Sequence, residues 1–161
     1  MKILTTQLTG LFMRLGAKEQ AIEDTARLLA QAVIGEGRIY LAASGELEAV
    51  NSAALDGTES LTGAVRYELG TTLTSADRVW ILAKKDESDA LAQQLAESNV
   101  PFAMLTAQSH DNDCASAFLS MDIDKGLLPG DEGERIVIPH ALGALYVYHA
   151  VKLTIDEMLA E

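Results

Sequence analysis

Three short apolar runs constrain the fold of this chain more than any other feature. They are RIYLAA at 38–43, RVWILA at 78–83 and PFAMLT at 101–106. None of them alternates apolar with polar residues, so each predicts a strand covered on both faces, as in a parallel sheet. Shorter apolar stretches at 64–69 and 134–138 predict two further strands.

Helical patterns fill the segments between these strands. One pattern runs from 5 to 34, with Gly16 as a candidate break and Gly35 and Gly37 at its end. Further helices are predicted over 46–55, 86–98 and 141–159, and a short one within the polar stretch 109–118. The residues expected on the inward faces are Leu8, Leu11, Phe12 and Leu15; Ile22, Ala26, Leu29 and Val33; Leu91, Ala92 and Leu95; and Leu142, Leu145, Tyr146, His149, Leu153 and Met158.

This alternation of helices and buried strands predicts a single domain over 1–161. Its expected architecture is a three-layer α/β/α sandwich with a mainly parallel sheet and long N-terminal and C-terminal helices. Ligands of such folds bind beyond the carboxyl ends of the strands. The residues expected at that edge are Ser44 and Gly45, the segments 84–88 and 106–110, and Pro139 with His140.

The charge balance limits the possible partners. The chain has 24 acidic and 12 basic residues, for a net charge of −12. Nucleic acids and anionic membrane surfaces are therefore disfavoured, because both attract Lys and Arg. The N-terminal segment lacks the unbroken apolar core of a signal peptide, and the single Cys114 excludes an internal disulfide. We expect a cytoplasmic protein with a reduced thiol.

The loop at Ser44 and Gly45 has two interpretations. A tight turn between a strand and a helix places free N–H groups and a glycine where an anion can approach closely. The alternative is an ordinary turn in which Ser44 caps the helix and Glu46 and Glu48 favour its dipole. Glu46 would repel a phosphate bound directly at this turn.

The loop after the strand at 78–83 has two interpretations as well. Lys84 and Lys85 supply positive charge in an acidic chain, and Ser88 offers a hydroxyl donor. The alternative is a solvated turn in which Asp86 caps the next helix.

Each of the three histidines has a structural and a functional interpretation. His149, within LYVYHAVKL, is either a packed core residue or an acid–base group. His140 is better placed for a site at the carboxyl edge, but the sequence gives it no partner. His110, with Asp111 and Asp113, forms either a surface loop or a metal site.

Taken together, these segments resemble the SIS (sugar isomerase) domain, which is flavodoxin-like. GRIYLAASGE is similar to the strand and loop of the type kIyvfGnGgS, and RVWILA leads into AKKDESDAL where SIS domains carry ISxSGxS. ERIVIPH resembles the RVPH ending of phosphoheptose isomerases, and VYH their VIH. The likeness covers nearly the whole chain and includes a family of uncharacterised bacterial proteins of about this length.

The resemblance implies a set of ligand-binding residues, with several departures. Gly45 keeps the glycine of the first loop, Glu46 replaces a ligand-binding serine, and Ser88 is the serine that matches in the second loop. Ala83 and Lys85 replace the two other serines of that loop, and Asp86 replaces its glycine. The implied ligand-binding residues are Ser44, Gly45, Glu46, Lys84, Lys85 and Ser88.

The resemblance also implies aldose–ketose isomerisation of a sugar phosphate through an enediol, with no cofactor and no metal. The enzyme's catalytic glutamate corresponds to Asp56, ten residues beyond Glu46, and its histidine to His149. SIS proteins are typically dimers or tetramers, so we expect a homodimer or homotetramer. The N-terminal segment 1–36 would pack on its own domain or on a partner subunit. The alternatives are a non-catalytic module that senses a phosphosugar or nucleotide sugar, and a structural oligomer.

Overall fold

A five-stranded parallel sheet forms the centre of the protein, in a computed structural model that describes residues 1–109 and 112–161. Its strands are β1 (Ile39–Ala43), β2 (Ala64–Arg66), β3 (Arg78–Ala83), β4 (Phe102–Thr106) and β5 (Ala117–Ser120). Their spatial order is β2-β1-β3-β4-β5, and each neighbouring pair is parallel. The predicted mainly parallel sheet is confirmed.

Helices cover both faces of this sheet. They are α1 (Lys2–Gly16), α2 (Glu19–Ile34), α3 (Glu48–Asp56), α4 (Asp89–Glu97) and α5 (His140–Ala160), and a 3-10 turn, Gly45–Leu47, precedes α3. Alternate side chains of β3 enter two different cores, because successive residues of a strand face opposite ways. Trp80 and Leu82 pack with α2, α3 and α5, whereas Val79 and Ile81 pack with α4. The three-layer α/β/α sandwich is therefore confirmed.

The N-terminal helices pack on this same chain. Leu11 and Leu15 of α1 are buried in the core that α2 and α5 share. Phe12 stacks on Tyr146 of α5, with ring centroids 5.1 Å apart. The break predicted at Gly16 is present, since α1 ends there and α2 begins at Glu19. In the part of the chain that the structure describes, no helix has both the length and the hydropathy to cross a membrane.

The chain between β4 and α5 differs from the prediction. The expected strand at 134–138 is reduced to β7 (Arg135–Ile136), which pairs antiparallel with β6 (Leu128–Pro129) outside the main sheet. Val137 ends the extension because its φ of +60° is left-handed. The short helix expected within 109–118 is absent from the described part of that stretch. The fifth strand of the sheet is β5, which is only four residues long.

Two further details of the helices were predicted wrongly. The helix expected from residue 86 begins at Asp89 with Ser88 as its N-cap, so Asp86 does not cap it. The buried face of α5 also differs from the expected one; it consists of Gly143, Ala144, Val147, Tyr148, Val151 and Ile155. Leu142, His149 and Leu153 are exposed instead. Since α5 is apolar around most of its circumference, its periodicity does not select the inward face.

Candidate active site at the carboxyl edge of the sheet

The strand order places a topological switch point at the carboxyl ends of β1 and β3. The chain crosses from β1 to β2 on one side and then to β3 on the other, so the topology reverses between β1 and β3. Ligands of open α/β sheets bind at such a switch point. The loops 44–47 and 84–88 both leave the sheet here. They start side by side, because the N–H of Ser44 donates to the carbonyl of Leu82 at 3.1 Å.

Gly45 shapes the first loop. Its φ of +58° is left-handed, a conformation that residues with a Cβ adopt only with strain. A Cβ built at Gly45 would lie 3.9 Å from Cε of Lys84, so the stem of that lysine lies beside the loop. Lys84 itself is half-buried. The structure therefore brings together two residues from the two predicted loops.

Ser44 does not act as the simple helix cap that one interpretation assigned to it. It occupies the N-cap position of the 3-10 turn, but its side chain makes no capping hydrogen bond. Its Oγ is buried and has no protein partner among the described residues. The turn is closed by the backbone, through the N–H of Leu47 and the carbonyl of Ser44 at 3.2 Å.

Glu46 has a partner that the sequence did not indicate. Nδ1 of His140 lies 2.9 Å from Oε1 of Glu46, with the imidazole N–H as donor to the carboxylate. The two residues are 94 positions apart in the chain. The imidazole side chain is 15% exposed and the carboxylate side chain 44% exposed. His140 is the first residue of α5, so the positive end of that helix also attracts the carboxylate.

The segment before His140 is held firmly against the preceding loop. The Arg135 guanidinium donates to the carbonyl of Gly126 at 3.1 Å and to that of Leu127 at 2.8 Å. The N–H of Leu127 donates to the carbonyl of Val137 at 3.0 Å. A β-branched residue in the left-handed region costs about 1–3 kcal/mol and persists only where its surroundings enforce it. These contacts enforce it at Val137, and so determine where α5 and its first side chain begin.

The second loop presents Lys84, Lys85 and Ser88. The carbonyl of Lys84 accepts the N–H of Ala107 at 3.0 Å, which joins this loop to the one after β4. The N–H of Lys85 donates to Oε2 of Glu87 at 2.7 Å, and the Lys85 side chain is exposed. Ser88 is half-buried and makes no side-chain capping bond to α4.

A polar cluster that sequence reasoning missed follows β5. Nζ of Lys18 donates to Oδ2 of Asp122 at 2.7 Å, and Oγ of Ser120 donates to Oδ1 at 2.8 Å. The hydrogen bond from Lys18, followed by that from Ser120, lowers the pKa of the Asp122 carboxyl below its ordinary value, although partial burial opposes the shift. The sequence carries one signal for this cluster, the polar residues Ser120 and Asp122 in SMD. It was missed because β5, the strand that ends at Ser120, was not predicted.

Asp56 and His149 do not join the loop at Gly45 within this chain. Asp56 is the last residue of α3, about 12 Å along the axis from the start of that helix. His149 is about 13 Å along α5 from His140. Both side chains are exposed, so the interpretation of His149 as a packed core residue is wrong. The catalytic roles assigned to Asp56 and His149 remain predictions.

The predicted metal loop falls partly outside the described residues, since His110 and Asp111 are not among them. Within the ranges 1–109 and 112–161, no group of three or more His, Cys, Asp or Glu side chains is arranged to hold a metal ion. The exposed Cys114 donates its backbone N–H to the Asn112 side chain at 3.1 Å.

Solved structures with this fold include phosphosugar isomerase-like proteins. One is a "putative phosphosugar isomerase involved in capsule formation" from Bacteroides fragilis, at 14% identity and a TM-score of 0.65 over 97% of this chain and 88% of that one. Another is a protein of Escherichia coli CFT073 in complex with a sugar phosphate, at 15% identity and a TM-score of 0.60 over 97% of this chain and 92% of that one. At these identities the likeness concerns the fold.

Two further comparisons concern the sequence. A family model described as a domain of unknown function (DUF2529) matches residues 1–159. The uncharacterized protein YwjG of Bacillus subtilis (strain 168) is 36% identical over 170 residues, which cover 100% of this chain and 98% of that protein.

Proposed function

The chain belongs to the DUF2529 family, and from its fold and site we propose that it binds a sugar phosphate and isomerises it between aldose and ketose. The fold is that of phosphosugar isomerase-like proteins of the SIS type. One of these structural neighbours is a complex with a sugar phosphate.

The observation that carries the proposal is the approach of Lys84 to Gly45 at the switch point of the sheet. A lysine stem beside a left-handed glycine places a cation next to backbone that a ligand can approach closely. In a chain with a net charge of −12, a local cation beside such a loop favours an anionic group, such as a phosphate ester. Lys85 and Ser88 of the same loop are the further proposed ligand-binding residues.

The proposed reaction needs no redox chemistry. A base removes a proton from the carbon next to the carbonyl, and an acid protonates the carbonyl oxygen to form an enediol. The base then returns its proton to the other carbon, while the hydroxyl on the first carbon gives its proton back to the acid as the new carbonyl forms, which exchanges aldose for ketose. The resemblance to phosphoheptose isomerases assigns these roles to Asp56 and His149. Because both residues lie more than two helical turns from the loop at Gly45, they would serve that loop only from a second copy of the chain.

A homo-oligomer is part of this proposal. The outer side of α5 carries exposed apolar residues, including Leu142 and Leu153. Met13 of α1 is exposed as well. Exposed apolar surface on long helices is typical of a subunit interface. We therefore infer that α1 and α5 pair with a second copy, as a homodimer or homotetramer.

A non-catalytic sensing module is the second candidate. The observation that favours it is the exposure of Asp56 and His149, away from the loop at Gly45. A sensor would bind the same phosphosugars or nucleotide sugars through the cation and the loops, without proton transfer. Ligand binding would stabilise the folded state of such a module, and the ligand itself would remain unchanged.

The test is calorimetric titration of the full chain with five-, six- and seven-carbon aldose and ketose phosphates, including sedoheptulose 7-phosphate, followed by NMR of the mixtures. We expect saturable binding by the wild-type protein. Lys84→Met should weaken it about 10- to 100-fold, since hydrogen bonds to charged groups contribute about 1.5–3 kcal/mol. Lys2→Met, at an exposed position of α1, is the matched control and should bind like the wild type.

Each result has a clear meaning. Absence of binding across the panel would refute the phosphosugar proposal. Binding without conversion would favour the sensing module over the isomerase. If conversion occurs, its loss in Asp56→Asn and His149→Ala would support the roles that the resemblance assigns to these two residues, and full activity in both variants would remove them from the mechanism.

A further inference from the structure

We propose that Glu46 and His140 of one protomer form an acid–base pair that transfers protons in the phosphosugar site. This assignment rests on the proposed function, but it differs from the pair that the family resemblance implies. It requires no second copy of the chain, because both side chains lie in one protomer.

The hydrogen bond leaves one titratable atom of each side chain unengaged by the other. Oε1 of Glu46 and Nδ1 of His140 are joined, so Oε2 and Nε2 are the atoms that remain for a ligand. The Nδ1–H bond also fixes the tautomer of a neutral imidazole, with Nε2 as the unprotonated nitrogen. A carboxylate that orients an imidazole in this way recurs in acid–base catalysis.

Glu46 is the more exposed side chain of the pair and His140 the more buried, as expected when the base must contact the substrate and its partner must hold it in position. The carboxylate side chain is 44% exposed, so a ligand can reach it. The imidazole side chain is only 15% exposed and is therefore restrained in position. Two features restrain the backbone that carries the imidazole. Arg135 donates to the carbonyls of Gly126 and Leu127, and Val137 is held in a left-handed conformation.

The position of the pair relative to the loops supports the same role. Glu46 directly follows Gly45, the residue beside which Lys84 lies. A phosphosugar whose phosphate is held near Lys84 would therefore extend its carbon chain past Glu46. In this arrangement the Glu46 carboxylate faces the carbon chain of the ligand. It therefore does not face the phosphate, which it would repel. Its partner His140 holds it there.

The proton transfers balance without any co-reactant. Oε2 of Glu46 takes the proton from the carbon next to the carbonyl, and the electrons of that C–H bond become the second bond of an enediol. Nε2 of His140 takes the proton of the hydroxyl on the carbon that lost its hydrogen, and it delivers this proton to the former carbonyl oxygen. Glu46 then returns its proton to the former carbonyl carbon, and a new carbonyl forms on its neighbour. The sugar phosphate is rearranged, and both side chains regain their initial protonation states.

Three substitutions test the pair. Glu46→Gln removes the base with little change of shape. His140→Asn keeps an N–H donor near the Nδ1 position, so it holds Glu46 but removes Nε2. Glu48→Gln is the matched control, because Glu48 is a neighbouring carboxylate engaged by Arg66 and Asn51 rather than by His140.

The assay combines kcat and KM on the best sugar phosphate with exchange of its carbon-bound proton in heavy water, followed by NMR. We expect Glu46→Gln and His140→Asn each to lower kcat about 10²- to 10⁴-fold, the usual contribution of general acid–base groups. KM should change little, since phosphate binding is retained. Proton exchange should fall with kcat, and Glu48→Gln should keep the activity of the wild type.

The outcomes separate this assignment from the proposed function. Conversion at the wild-type rate by either Glu46→Gln or His140→Asn overturns the pair and leaves an isomerase that uses other residues. A wild-type protein that binds sugar phosphates but neither converts them nor exchanges their protons also overturns the pair, and leaves a binding module. A wild-type protein that binds none of them overturns both. If His140→Asn fails to fold, Glu46→Gln, at a more exposed position, decides the question alone.

Discussion

Replacing Gly126 by alanine should disturb the start of α5 through a purely steric effect. A Cβ at this buried position would lie 2.2 Å from the carbonyl oxygen of Ile136, and 2.5 and 2.6 Å from its C and N atoms. All three are backbone atoms, so no side chain can rotate away. Ordinary contacts begin at 3.4 Å, so the hairpin formed by β6 and β7 must shift by about 1 Å. Overpacking of this kind costs about 1–3 kcal/mol.

The same displacement would reach the proposed site, because Ile136 lies four residues before His140 in the chain. A misplacement of about 1 Å is enough to lower turnover about 10²-fold. Urea unfolding followed by circular dichroism measures the stability, and the kcat of the variant measures the effect on the site. Gly10→Ala is the matched control, since a Cβ there meets nothing within 4 Å and α1 should gain up to about 1 kcal/mol.

The reasoning would be refuted if Gly126→Ala changed the free energy of unfolding by less than about 0.5 kcal/mol, the range of an ordinary surface substitution. Retention of wild-type kcat by a destabilised Gly126→Ala protein would separate the two effects. It would show that the hairpin does not determine the position of His140.

Three further predictions follow from other contacts. Because the folded-state pKa of Asp122 is lowered, its pair with Lys18 stabilises the fold above the ordinary carboxyl pKa, and this contribution is lost as pH falls through the folded-state value. Lys18→Met should therefore lower the free energy of unfolding by less than about 1 kcal/mol at neutral pH and leave it unchanged in strong acid. Urea titrations at several pH values measure this. Leu153→Glu, at a site 63% exposed on α5, should lower the mass of the proposed oligomer in light scattering, whereas Leu69→Glu, 94% exposed in a loop, should not. Gly45→Ala should lower the free energy of unfolding by about 1–2 kcal/mol, because φ at this position is left-handed. No steric cost is added, since the nearest atom to a Cβ there would be Cε of Lys84 at 3.9 Å.

The sheet was largely predictable because its strands are short, apolar on both faces and separated by helical periods. The strand at 78–83 has the predicted bounds, and the strands at 39–43 and 102–106 each differ by one residue. The short edge strand β5 was not predictable, since its four residues follow a polar stretch and carry no periodic signal. The strand predicted at 134–138 failed for the opposite reason. Its apolar residues remain exposed, and Val137 turns the backbone out of the extended region.

The inward face of α5 shows a second limit of sequence patterns. Apolar residues occur on most of its circumference, so the stripe with Leu142 and Leu153 and the stripe with Val147 and Val151 are equally plausible in sequence. Packing selected the second stripe, which carries the small residue Gly143. A Cβ at Gly143 would lie 3.0 Å from Sδ of Met121, so the helix approaches the segment after β5 closely on this side.

The sequence by itself determined the layers of this protein and the edge at which its loops meet. Parallel strands joined by helices bring their carboxyl ends to one side, so Ser44, Gly45 and Lys84 had to lie there. Only the tertiary structure decided what Glu46 contacts. Its partner His140 lies 94 residues away, at the end of an irregular hairpin that no local pattern describes. Pairing across such a distance depends on how the whole chain packs, and this is why a residue that looked like an obstacle to a phosphate became half of a proposed acid–base pair.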